Sequence, residues 1–326
     1  MKAILVGLGN AGFSWYKRLR ERGLLAAVVE SDEGMRSKMA GEAFPFYTSL
    51  REALDKEQAD FLVNVTPPAV HTAVNHAAFD YRLPVLCEKP ISFQYAESTA
   101  IVERAFRENI PFMIAENYRR WPFVRKMKQL LEQGVIGEIS TIDIRFYRYH
   151  HVRRNYTVSL LRDIGVHHFD MIRYLSGMEG RSIMAQLYNP IGGWNEEGAV
   201  LNANAFMEME DGIRVGYAAS IAARGEETPW SGNWRIEGTE GALELVNKEI
   251  IVMRNGIANR IVDFPDAQAS DTLDAFLIAL GDGLEFETSG RDYLHTEALV
   301  HYADESSKQG RSVEIVLPQI GLEASR

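Results

Sequence analysis

The chain has 326 residues, 46% hydrophobic and 25% charged, with a net charge of −10. This composition excludes a disordered chain and suits two domains of ordinary size. The acidic balance argues against nucleic acid or an anionic membrane as the main partner, and the sequence lacks an apolar run long enough to span a bilayer.

The N-terminal run Ala3-Ile4-Leu5-Val6 leads into Gly7-Leu8-Gly9-Asn10-Ala11-Gly12. A helical pattern carrying Trp15 and Leu19 on its apolar side follows, and a second apolar run ends in Glu30. This is β-α-β with a glycine turn, and the opening reads as a buried strand rather than a signal peptide. Residues 32–43 read as a helix, 44–47 as a link, and the stretch from Ser49 to Leu54 as a helix. A buried strand over 60–66 is stopped by Pro67-Pro68; 69–80 is helical; 83–87 is a strand ending in Glu88-Lys89-Pro90. A helix over 95–108 and a strand over 112–115 complete the alternation, which predicts an α/β fold with a doubly wound parallel sheet, the Rossmann arrangement.

The pattern changes near residue 120. A helix over 122–133 precedes a long strand over 138–150, with Ile142, Ile144 and Phe146 alternating. Further strands are expected at 182–188, 199–210, 213–222, 234–237, 242–246, 249–253 and 260–264, then helices from Asp271 to Leu280 and from Arg291 to Ser307. Successive strands joined by turns predict a mostly antiparallel sheet in an α+β domain. The expected organisation is therefore a dinucleotide-binding domain over 1–120 and a substrate-binding and oligomerisation domain over 121–326.

Chemistry concentrates in a few places. Gly7 permits the tight turn, Gly9 lets a pyrophosphate approach the backbone, and Gly12 lets the helix pack closely; Asn10 and Ala11 open the helix whose free N–H groups favour an anion. Glu30 at the tip of the second strand suits ribose hydroxyls and repels a 2′-phosphate, so NAD is expected over NADP, although Ser31, Arg36 and Lys38 lie nearby in sequence. Lys89 follows a parallel strand directly, where it can stabilise alkoxide charge beside Glu88. Asp163 and His167 are four residues apart on one helical face with Asp170 beyond them, so the carboxylate can orient the imidazole as a general base. His168 faces elsewhere and reads as structural, and metal ligation by the two histidines is not expected. Thr66, Pro67 and His71 after one strand and Asn117 after another are candidate cofactor contacts. Tyr118, Arg119, Arg145 and Tyr147 are candidate substrate contacts, with Trp194 and Trp230 further candidates. The one cysteine, Cys87, has apolar neighbours, reads as a small buried residue and permits no internal disulfide; a cytoplasmic location fits.

Taken in order, Gly7-Leu8-Gly9-Asn10-Ala11-Gly12, the 64–71 segment, Glu88-Lys89-Pro90 and the 163–170 segment make the chain resemble the glucose-fructose oxidoreductase, inositol dehydrogenase and rhizopine-catabolism (Gfo/Idh/MocA) family over nearly its whole length. The resemblance implies Lys89, Asp163 and His167 as catalytic residues, Glu88 near the nicotinamide ribose, a cis peptide at Lys89-Pro90, and an open-faced second sheet that pairs copies into dimers or tetramers. It implies NAD(P)-dependent oxidation of a secondary alcohol of a sugar, sugar acid or cyclitol. The alternatives are a redox-assisted glycoside hydrolase or lyase with tightly held NAD, and a non-enzymatic dinucleotide sensor. Two departures stand out. Residues 156–162 replace a glycine-rich stretch before Asp163, and Glu30 stands where Asp is commoner.

Overall fold

The computed structural model describes residues 1–39, 44–151, 159–194 and 196–321. The chain divides into two compact units, the first Met1–Glu116 with Thr272–Leu294 and the tail from Pro318, the second Asn117–Asp271 with His295–Leu317.

The first unit is built on six parallel strands: β1 (Ala3–Val6), β2 (Leu25–Val29), β3 (Phe46–Tyr47), β4 (Phe61–Asn64), β5 (Val85–Cys87) and β6 (Phe112–Ile114). Their spatial order is β3-β2-β1-β4-β5-β6, so the sheet reverses its winding between β1 and β4. Helices α1 (Asn10–Glu21), α2 (Leu50–Lys56), α3 (His71–Asp80) and α4 (Tyr95–Arg107) alternate with the strands. Parallel strands covered on both faces carry near-continuous apolar runs, and every residue of β1, β4, β5 and β6 is buried. Residues 46–47, expected as part of a link, supply the edge strand, which is too short to show a period. Where a helix was expected over 32–43, a 3₁₀ helix spans Glu33–Met39, and 40–43 lie outside the described residues.

Helix α7 (Thr272–Asp282) also packs into this unit. Leu273 and Phe276 are fully buried, and the Phe276 ring lies 5.3 Å from Phe61 and 5.2 Å from Phe286. Burying each such side chain contributes about 1.5–3 kcal/mol.

In the second unit, α5 (Pro122–Glu132) precedes β7 (Ile139–Tyr147), and a π-helical turn (Leu161–Gly165) leads into α6 (Val166–Ser176). The remaining strands are β8 (Gly180–Tyr188), β9 (Asn202–Met209), β10 (Arg214–Ser220), β11 (Asn233–Gly238), β12 (Ala242–Val246), β13 (Glu249–Arg254), β14 (Ile257–Ile261) and β15 (Val313–Glu314), and the last helix is α8 (Gly290–Gln309), which belongs to this unit from His295 onward. Nine strands form one sheet in the order β14-β13-β12-β11-β7-β10-β9-β8-β15. Every pairing is antiparallel except β7 with β10. The strand expected at 260–264 is β14, three residues earlier. Asn255 and Gly256, with φ of 51° and 75°, close a tight hairpin directly after β13.

Strand β7 has two faces. Ile142, Ile144 and Phe146 are buried, the Phe146 ring 5.0 Å from His168 of α6, while Asp143, Arg145 and Tyr147 lie on the opposite, open face. Phe146 and Tyr217 are therefore core residues, and Phe206, 75% exposed, stands on the open face. Among the described residues no helix is long and apolar enough to cross a membrane.

Candidate active site

In the first unit, β1 is followed by Gly7, whose φ of +99° favours glycine. A Cβ on Gly7 would lie 2.7 Å from the Val65 carbonyl oxygen, and one on Gly12 would lie 2.2 Å from the Gly7 carbonyl oxygen. A Cβ on Gly9 would meet nothing within 4 Å. Gly7 and Gly12 are thus required by the fold itself, whereas Gly9 faces open space. Gly9 caps α1 without a side-chain bond, the first turn holds no acidic residue, and Asn10 and Ala11 are exposed. Free backbone N–H groups with no competing carboxylate fit the diphosphate of a dinucleotide.

Glu30 follows β2 and braces this turn. Its Oε2 accepts the Leu8 N–H at 2.8 Å, and its Oε1 accepts from Asp32 N–H at 3.1 Å and Ser31 Oγ at 3.2 Å. A carboxylate offers about four lone-pair sites, so acceptor capacity remains for ribose hydroxyls. The neighbouring cations are engaged within the chain. Arg36 pairs with Glu33 at 3.1 Å, and Lys38 donates to the Leu8 carbonyl at 3.4 Å. That arrangement fits NAD better than its phosphorylated form.

The ends of β4 and β5 are cross-braced. Asn64, fully buried, donates to the His71 carbonyl at 3.1 Å and to Asn75 Oδ1 at 2.8 Å, and accepts from Thr66 Oγ1 at 2.7 Å. His71 lies with Nε2 2.7 Å from the Thr66 carbonyl and Nδ1 2.7 Å from the Pro90 carbonyl. Burial holds its pKa below the ordinary histidine value, although both carbonyls pull the other way. This corrects the expectation for His71. Its ring is completely buried and ties the Thr66-Pro67 loop to the Lys89-Pro90 loop instead of reaching a cofactor. Pro67 is exposed and Thr66 half-buried.

Lys89, half-buried, stands two residues past β5, and its bond to Pro90 is cis. Glu88 accepts the Trp15 indole N–H at 2.8 Å, which joins the Lys89 loop to α1. Burial pushes the Glu88 carboxyl above the usual range; Trp15 and Lys89 oppose that shift, and the buried Glu116 adds to it. Trp15 thus holds an apolar helix position and a specific polar partner at once. Cys87 is buried, with Asn75 Nδ2 3.5 Å from its sulfur.

In the second unit, Asp163 is half-buried in the π-helical turn and His167 is 6% exposed in the first turn of α6. The wider turn breaks the regular α-helical spacing assumed between them, a feature often found at functional sites. Residues 156–158 of the segment singled out before Asp163 lie outside the described residues. A Cβ on Gly165 would lie 3.0 Å from the Tyr217 hydroxyl, so this glycine lets the sheet approach the helix.

His168 has the structural role expected of it. Its Nε2 donates to the Trp230 carbonyl at 2.8 Å, and its Nδ1 accepts from the Tyr217 hydroxyl at 3.0 Å. Burial drives its pKa down to about 4, so it is neutral at pH 7. Burial likewise pushes the Tyr217 hydroxyl upward.

Three substrate expectations need correction. Arg119 is 4% exposed and clamps Asp170 with Nε at 2.6 Å and Nη2 at 2.7 Å, so its guanidinium is spent inside the unit. Arg145 and Tyr147 point to the open face of the sheet, away from His167, because side chains alternate along β7. Tyr118 is 7% exposed, with one ring face against Trp121 at 3.8 Å and the other against His167 at 4.0 Å. Asn117 is exposed. Trp230 packs against Phe146 and His150, and Trp194 against Tyr149 and His151.

A glycine turn that fits a diphosphate at the switch point of a parallel sheet marks the first unit as one of the dinucleotide-binding class. Comparison with known proteins narrows this. Residues 1–116 match the model of the oxidoreductase family with NAD-binding Rossmann fold, and residues 124–244 match the GFO/IDH/MocA C-terminal domain. The chain belongs to the GFO/IDH/MocA family and is an NAD-binding oxidoreductase.

D-apiose dehydrogenase from Paraburkholderia graminis is 27% identical over 319 residues, covering 89% of this chain and 83% of the relative. Inositol 2-dehydrogenase from Corynebacterium glutamicum strain R is 29% identical over 65% of this chain and 64% of the relative. Among solved structures, an oxidoreductase from Agrobacterium radiobacter in complex with NAD+, L-tartaric acid and magnesium superposes with a TM-score of 0.86 at 22% identity. That match covers 96% of this chain and 98% of the other, and it bears on the fold alone.

Proposed function

We propose that the protein oxidises a secondary alcohol of a sugar, sugar acid or cyclitol, or reduces the corresponding ketone. His167 takes the hydroxyl proton, Asp163 orients its ring, and the Lys89 ammonium favours alkoxide character on the oxygen. Gly7, Gly9, Asn10, Ala11, Gly12 and Glu30 hold the dinucleotide, with Thr66, Pro67, Glu88 and Asn117 contributing. When bound, NAD supplies the hydride acceptor. The observation that carries this reading is the buried imidazole at the junction of the π turn and α6, one turn after a carboxylate. The names of the relatives, dehydrogenases of a branched sugar and of inositol, support the substrate class.

In the same reading, the region to residue 120 serves the dinucleotide. The region from 121, apart from the returning segment that includes α7, serves the substrate and self-association. Exposed Phe206 and Met184 on the open sheet face suit a homodimer or homotetramer, and a cytoplasmic location is part of the same proposal.

The test is absorbance at the reduced-nicotinamide band with NAD or NADP and a panel of sugars, sugar acids and inositols. One polyol should raise the band with NAD. His167→Ala should lower kcat by roughly a hundred- to ten-thousand-fold, with NAD affinity unchanged. Equal loss of both would remove the base assignment. A silent panel with tight NAD binding would favour net hydrolysis or sensing instead.

A further inference from the structure

The turn that precedes α5 grips α6 at two points. Tyr118 and Arg119 are neighbours on a short 3₁₀ turn, Tyr118–Arg120. Arg119 holds Asp170 by two hydrogen bonds, and Tyr118 lies flat on His167, three residues earlier on the same helix. The Tyr118 and His167 rings are 4.0 Å apart at their centroids and 7° from parallel. Trp121 closes the other face of Tyr118 at 3.8 Å and 29°, giving a three-ring column with the imidazole at its end.

An unconstrained histidine samples a broad, roughly two-fold range about its terminal torsion. Between an orienting carboxylate and a substrate, such freedom would dissipate alignment. A flat aromatic neighbour permits rotation of the ring in its own plane but opposes tilting out of that plane. The electron-rich face of tyrosine also favours the imidazolium that forms when the base has taken a proton.

We propose that Tyr118 is a positioning residue for His167, holding the plane of the imidazole and favouring its protonated form, with the Arg119–Asp170 pair locking the turn in register. This rests on His167 being the base. Other groups around α6 are spent elsewhere. His168 is bonded to Tyr217 and Trp230, Arg173 donates to Glu179 at 2.7 Å and lies 4.0 Å from Asp170, Arg125 donates to the Tyr174 hydroxyl at 3.0 Å, and Lys128 lies over the Tyr174 ring at 5.7 Å. Asp163, in the preceding turn, is the carboxylate assigned to orient the ring.

The test uses the full chain labelled at histidine nitrogen, with the His167 signal identified by its loss in His167→Ala. Wild type, Tyr118→Phe and Tyr118→Leu are titrated by NMR and assayed for kcat and KM against pH. Tyr118→Phe keeps the stack and should keep the His167 titration and the acid limb of the profile where wild type has them. Tyr118→Leu should lower the His167 pKa by roughly half a unit to one unit, move the acid limb of kcat/KM down by the same amount, and cut kcat about tenfold with KM for NAD unchanged. A folded Tyr118→Leu with an unmoved titration and profile overturns the proposal, as does Tyr118→Phe behaving like Tyr118→Leu. If Tyr118→Leu does not fold, Trp121→Leu decides: a shift in the same direction supports the column, and no shift overturns it. Full turnover in His167→Ala would instead remove the base assignment, which separates failure of that reading from failure of this one.

Discussion

Replacing Arg119 by methionine tests whether this guanidinium is structural. Asp170 is completely buried and accepts from Arg119 Nε at 2.6 Å, Arg119 Nη2 at 2.7 Å and Thr296 Oγ1 at 2.9 Å. Arg119→Met removes two of these bonds and the nearer of two guanidiniums, leaving Arg173 Nη1 4.0 Å from Asp170 Oδ1, while methionine keeps much of the apolar stem. Removing one partner of a buried ion pair costs about 3–5 kcal/mol, and Arg173, at longer range and bonded to Glu179, replaces only part of the lost interaction. At about 2–4 °C per kcal/mol for a unit of this size, the second unit should melt roughly 6–20 °C lower. The assay is a thermal scan by circular dichroism together with urea unfolding, with attention to two transitions because the chain has two units. Arg119→Met/Asp170→Leu should recover much of the loss, since no lone charge is then buried. A single variant that melts within about 2 °C of wild type, but with a selectively raised KM for the polyol, would refute the argument and return Arg119 to the substrate.

The glycine turn yields a paired test. Gly12→Ala sets a Cβ 2.2 Å from the Gly7 carbonyl oxygen and should destabilise the first unit by several kcal/mol, seen as a lower melting temperature without ligand. Gly9→Ala meets nothing within 4 Å and should melt like wild type while NAD affinity, measured by calorimetry, falls at least tenfold. Equal melting of the two variants would contradict this division of roles. His168 supplies a pH dependence. Its folded pKa is lowered to about 4 from 6.5, so the unfolded chain binds the extra proton between those values. The contribution is complete above pH 6.5 and is lost as pH falls towards 4, a loss of about 3 kcal/mol. Urea midpoints across that range should drop more steeply for wild type than for His168→Gln, and parallel slopes would rule this out.

Much of this protein is determined by sequence alone, because its signals are local. The glycine turn, the apolar runs of β1 and β4, and the alternation in β7 each arise from one short segment obeying one period, so the fold class and the acid-histidine segment follow without coordinates. Asn255-Gly256 is likewise a local hairpin signal, and it sets the start of β14 at Ile257, three residues before the strand expected from the apolar pattern. What only the tertiary structure decided is the fate of polar groups far apart in sequence. Arg119 looks available in a string of letters, but Asp170 lies 51 residues on, and burial makes their pairing obligatory. Trp15 reads as apolar until Glu88 arrives 73 residues later to take its N–H. His71 resembles a ligand contact until two carbonyls enclose it. Local pattern records which face of an element is apolar; which buried charge or donor meets which partner is set by packing, and no period in the chain encodes it.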